Sequence, residues 1–149
     1  MEGALFHCPA SWEPLLPLGV RPVRHGVDLE NHDWDLLALT PQGCAELERE
    51  PRLRCRILLV PGTIDPGLLA RFRAETVISY GLSHRDSLTL SSLAEPVLCV
   101  QRTLPRPDGT AVEPQEFPLG RLPDRAEELL ALLGVRLLAL PDPPFPALL

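Results

Sequence analysis

The sequence predicts an α/β protein with a three-layer, Rossmann-like core of parallel strands followed by an antiparallel hairpin extension. Three observations predict it. "CRILLVPG" from Cys55 and "TVISYG" from Thr76 are short unbroken apolar runs, the pattern of strands buried on both faces of a parallel sheet. Each is preceded by an amphipathic stretch that opens on a capping residue followed by proline. After Gly81 the texture changes to alternation, and "PRPDG" at 105–109 sets a hairpin turn between two strand-like segments.

The elements follow in order. "ASWEPLLPLGVRPVRHG" is a proline-rich opening segment, about 1–27, with a helical turn around Trp12 to Leu16. "WDLLALTP" from Trp34 is a strand, and Thr40 caps a helix over "PQGCAELERE" with Pro41 in its first turn. "CRILLVPG" is the second strand. Asp65 caps a helix over "PGLLARFRAE", whose Leu68, Leu69 and Phe72 share one face, and "TVISYG" is the third strand. Strand, helix, strand, helix, strand at this spacing calls for crossovers and helices on both sheet faces. "DSLTLSSL", "PVLCVQRTL" and "TAVEPQEFPL" then finish the sheet antiparallel. "PDRAEELLALLGV" is an amphipathic helix with Asp124 near its start and Gly134 at its end. The tail, about 141–149, is too proline-rich for helix or central strand and is expected to pack as an extended arm. A chain of 149 residues fits one domain, 1–149.

Composition excludes several functions. All 14 basic residues are arginine. Without lysine there is neither a G-x-x-x-x-G-K-[ST] phosphate loop nor Schiff-base chemistry, and no cofactor is expected. The net charge is -6, with no basic cluster interleaved with aromatics, so nucleic acid is not an expected partner. Cys8, Cys44, Cys55 and Cys99 form no C-x-x-C pair, which leaves no zinc signature, and reduced thiols suit a cytoplasmic protein. No basic n-region marks a signal peptide, and the longest apolar stretch, Leu129 to Leu140, is short and carries Arg136, so no membrane is expected.

From Arg54 to Leu119 the residues resemble the Mur ligases, the ATP-dependent amino-acid ligases of peptidoglycan synthesis. "LLVPGTIDP" is similar to the strand and "N-x-D-D-P" element that ends their central domain. "VISYGLSHRDSLTLSS" is similar to the following "V-x-T-Y-G" element, and "CVQRTLPRPDGTAVEPQEFPL" to the hairpin after it. The resemblance implies a fold fragment rather than a ligase. Gly62 stands where the family carries its adenine-binding asparagine and Ile64 where it carries the first aspartate, leaving Asp65 and Pro66; the phosphate loop and ligase domain have no counterpart.

Ligands of open α/β sheets bind beyond the carboxyl ends of the strands. That rule selects Thr40 to Cys44, Pro61 to Asp65 and Tyr80 to Asp86. Gly62 and Thr63 offer backbone N–H groups at a helix start with Asp65, a site for an anion or an ordinary capped turn. Tyr80, Gly81, Ser83, His84 and Arg85 form the third loop, a self-bonded surface turn in which His84 and Arg85 are the expected anion contacts. Cys44 lies in an opening helical turn, where it is either activated by the macrodipole or a small residue facing the sheet. Asp28, Glu30, Asp33 and Asp35 crowd "VDLENHDWD" but lack the glycine of a calcium loop, and read as a solvated loop. These readings make the chain a non-catalytic binding or regulatory module for a small anionic ligand or nucleotide. The alternative is an interaction protein or homo-oligomer using its hairpin edge, and an enzyme using Cys44 or His84 comes third.

Overall fold

The computed structural model describes residues 1–47 and 52–140, so the tail at 141–149 and the last residues of the stretch expected as the first helix, 48–50, lie outside the described residues. In chain order the elements are β1 (Gly3–Phe6), β2 (Val20–Val23), β3 (Asp33–Leu39), α1 (Pro41–Glu46), β4 (Leu53–Pro61), α2 (Pro66–Leu69) and β5 (Phe72–Tyr80). There follow β6 (Leu88–Leu90), β7 (Val97–Val100), β8 (Leu104–Pro105), β9 (Ala111–Val112), β10 (Gln115–Pro118) and α3 (Leu130–Ala139). Short 3-10 turns lie at Ala10–Leu15, Gly26–Leu29 and Ala126–Glu128.

Eight strands form one mixed sheet in the order β10-β7-β6-β5-β4-β3-β1-β2. Neighbours from β2 to β6 run parallel, and β6, β7 and β10 close the sheet antiparallel. The fold is therefore α/β with a Rossmann-like core and an antiparallel extension. Among the described residues no helix is long and apolar enough to cross a membrane.

Alternation along the strands divides the core in two. Leu36, Ala38, Ile57, Leu59, Ile78 and Tyr80 lie in the layer that α3 covers. Leu37, Leu39, Leu58 and Val60 lie on the opposite face with Leu47, which follows α1, and Leu68 of α2. β3 and β4 are thus buried on both faces, which is why their sequences read as apolar runs instead of alternating ones.

The predicted elements hold with four corrections. The opening segment contains two strands, β1 and β2, that its prolines and shortness conceal; Pro22 is tolerated because β2 is an edge strand. The helix expected over 66–75 is the single turn α2, and Phe72 to Glu75 belong to β5, because β5 pairs with β4 from Leu53↔Phe72 to Pro61↔Tyr80. Pairing along a whole strand outweighs the helical pattern of one apolar face. The hairpin is nested: β7 pairs with β10, while β8 and β9 form their own two-stranded sheet around Gly109, whose φ is +89°. Finally, the last helix does not start near Asp124 but at Leu130, after the 3-10 turn Ala126–Glu128, and Gly134 does not end it but sits inside α3. A Cβ there would stand 2.8 Å from Leu59 Cδ2 and 3.2 Å from Leu88 Cδ1, so glycine is what lets α3 approach the sheet closely.

Gly134→Val is therefore expected to cost about 1–3 kcal/mol through overpacking, read as a lower midpoint in urea denaturation with an unchanged slope.

Candidate functional site

Among the described residues the sheet has one topological switch point. From β1 the chain crosses to β2 through Ala10–Leu15, whose Trp12 joins the α3-covered core, whereas β3 leaves through α1 over the other face. Beyond the ends of β1 and β3 this leaves a crevice of about 420 Å³. His7, Trp12, Thr40 and Tyr80 line its base, and Asp124, Glu127 and Glu128 stand on its rim.

Thr40 ties the two strand ends together. Its hydroxyl lies 3.1 Å from the Phe6 carbonyl and 2.7 Å from that of His7, and its oxygen accepts the Gly43 N–H at 3.0 Å as the N-cap of α1. His7 takes a left-handed backbone, φ +62°, at the turn out of β1. That conformation is uncommon for a residue with a Cβ and tends to cluster at functional sites. Tyr80 donates from its buried hydroxyl to the Leu39 carbonyl at 2.7 Å. On the rim, Glu127 is held below the ordinary carboxylate range by its own backbone N–H and then by Arg125, which reaches Oε1 from Nη2 at 2.5 Å.

On the other face, α1 and α2 flank a second cleft of about 550 Å³ lined by Cys44, Thr63, Asp65 and Arg71. Asp65 caps α2 by accepting the Leu68 N–H at 3.2 Å. Of the two readings of Cys44, burial favours the small residue facing the sheet: it pushes the thiol's pKa up to about 11, and a six-residue helix does not offset that. At neutral pH it stays protonated and is a poor nucleophile.

The remaining candidates are placed differently from one another. Gly62 and Gly81 do not frame an open anion site, because the buried carboxylate of Asp86 fills the space between them. A Cβ on Gly62 would lie 2.0 Å from Asp86 Oδ1, and one on Gly81 2.5 Å from Oδ2. The chain's own carboxylate thus stands where an anion was expected. Asp86 also accepts the Ser83 N–H at 3.1 Å, Ser83 Oγ accepts the Arg85 N–H at 3.2 Å, and Gln101 donates to the carbonyls of His84 and Asp86. Ser83, His84 and Arg85 form an exposed self-bonded turn outside both clefts. Of the acidic group, Asp35 is bonded to Arg56 and to the Glu2 N–H. Among the described residues no cluster of His, Cys, Asp and Glu is set to hold a metal ion.

Sequence reasoning missed His7, Trp12, Asp124, Glu127 and Glu128. The signal was the apolar "GALF" just before His7; read as a strand, it would have put His7 at a carboxyl end. No family model, no curated protein and no solved structure matches the chain.

Two outcomes test this geometry. Gly62→Ala is expected to destabilise by about 1–3 kcal/mol by displacing Asp86, and less in an Asp86→Ala background, so that urea denaturation of the cycle is non-additive. Cys44 and Cys55 are raised to about 11 and about 12 by burial, and Tyr80 is also raised, first by burial. Each favours the protonated form in the folded state, so their stabilisation is complete below the ordinary thiol value and is lost as pH climbs through 11 to 12. Melting temperature should therefore fall steeply with rising alkaline pH, and less steeply in a Cys44→Ala, Cys55→Ala variant.

Proposed function

We propose that the chain is a cytoplasmic, non-catalytic binding or regulatory module, a ligase-like unit without ATP chemistry, whose small ligand sits in the crevice between the ends of β1 and β3. The observation that carries this is the coincidence of the switch point, the strained His7 and the acidic rim in one place. The ligand class follows from the charges. Asp124, Glu127 and Glu128 on the rim, with Asp86 buried at the neighbouring strand ends, repel phosphate and suit an amine or a hydroxyl-rich molecule that packs against Trp12. This replaces the small anion or nucleotide expected from the loop glycines. The four free cysteines agree with a reducing compartment, and the protonated Cys44 supports binding over covalent catalysis.

A thermal-shift panel of polyamines, amino acids, neutral sugars, nucleotides and phosphate tests the reading. A rise in melting temperature with an amine or sugar, abolished in Glu128→Lys, is the expected outcome. A flat panel, or a nucleotide shift insensitive to Glu128→Lys, would overturn it.

A further inference from the structure

Beyond any small-ligand role, the sheet carries an unpaired edge in its interior order. β5 pairs with β4 along its full length, but on its other side it meets β6 only at Tyr80↔Leu88. Among the described residues no strand lies beside Phe72 to Ser79 on that side. Such an edge presents free backbone N–H and C=O groups to another strand. Leu53 N donates to the Arg71 carbonyl, so at the start of β5 the groups of Arg71 and Arg73 turn toward β4, and those of Phe72 and Ala74 turn outward.

The charges beside this edge are arranged in two rows across three strands. In register, Asp33, Arg54 and Arg73 form one row, and Asp35, Arg56 and Glu75, the positions the ladder skips, form the next through their ion pairs. Together they line a groove of about 520 Å³ on an open part of the sheet. The second row is internally paired, Arg56 lying 3.4 Å from Asp35 Oδ1 and 3.9 Å from Glu75 Oε2. In the first row Arg54 and Arg73 stand opposite each other, a repulsive cross-strand pair, and among the described residues Arg73 has no acidic partner.

We infer that β5 is the pairing edge for a second copy of this chain, joined antiparallel about a two-fold axis at Ala74. That register sets Arg73 opposite Glu75 of the second copy, and Glu75 opposite its Arg73, so the edge is complementary to itself. Moving the axis one residue to Arg73 or to Glu75 sets like charges against each other. Main-chain hydrogen bonds exchanged between the two Ala74 residues, ahead of the phase slip at Glu75, supply the central contact, and the exposed charges select the register and the partner. An isologous contact of this kind closes at two copies and leaves β2 and β10 as the outer edges, each carrying a proline, Pro22 and Pro118.

Sedimentation velocity over a concentration series tests this, with folding of every variant checked by circular dichroism. The parent chain is expected to reach twice the monomer mass. Arg73→Glu and Glu75→Arg, both at exposed positions, are each expected to lose that species at the same concentration, and the double variant, with the charges exchanged, to regain it. A parent that stays monomeric throughout, a single variant that dimerises as the parent does, or a double variant that remains monomeric would overturn the proposal. The small-ligand reading is untouched by any of these results, since the crevice lies at the opposite ends of the strands.

Discussion

The structure depends on one constraint: β3 and β4 are buried on both faces, and two adjacent strands of that kind must be covered twice. Leu36 to Leu39 and Ile57 to Val60 have exposures of 3% or less. An apolar sheet of this sort has no solvated side, so chain on either face is obligatory rather than decorative. α3 supplies one cover, and its run from Leu130 to Val135 is buried residue after residue in the core layer that also takes in Trp12, Leu104 and Val112. Arg106 fastens the nested hairpin to the helix by donating from Nε to the Leu137 carbonyl at 3.1 Å. The other cover is assembled from small pieces: α1, α2 and the turn at Gly26–Leu29, with Trp34 anchored below them by its Nε1 bond to the Leu29 carbonyl at 3.0 Å.

The same sheet changes character toward the amino ends of its strands. Trp34 and Cys55 face the α1 side, yet Leu37 and Leu58, three residues later, face it too. Simple alternation would put them on opposite faces. The phase slips at Asp35, Arg56 and Glu75, the positions missing from the ladder in β3, β4 and β5. A slip in one strand would turn its apolar set toward water, but a slip at the same level in all three preserves every pairing. The displaced residues are charged and pair across the strands. The Glu2 carboxylate extends the pattern by meeting Arg21 at 2.9 Å, and Arg21 lies 5.0 Å from the centre of the Trp34 ring.

How far the fold was legible follows from these features. Runs such as "CRILLVPG" could be read because two-sided burial leaves no polar residue to blur them, and Thr40 and Asp65 because capping is local chemistry written in adjacent residues. β1 was not legible: four apolar residues have no period to detect, and their strand state comes from pairing with Val20 to Val23 and Leu36 to Leu39, which the sequence does not announce. The β5 boundary failed for a related reason. "ARFRAE" suits a helix by composition, and only the length of β4 beside it decides otherwise. For the site, the turns that follow β4 and β5 were legible as turns, whereas β3 passes through Thr40 directly into α1. What lay beyond reach was that Asp86, five residues after Gly81, folds back into the space both glycines leave, and that the acids before α3 line one crevice with His7, more than a hundred residues away in the chain.

The seating of β1 between β2 and β3 also bears on the order in which the chain acquires its shape. β1 is an interior strand of the finished sheet, and its partners lie 17 and 33 positions further along the chain, as in Gly3↔Val20 and Gly3↔Leu36. Local contacts form readily, whereas distant pairings wait on loop closure. β1 therefore gains its second partner only when β3 joins it, and that closure is what brings His7 and Thr40 together. The crevice is consequently set by the pairing of segments far apart in the chain and not by any single local turn.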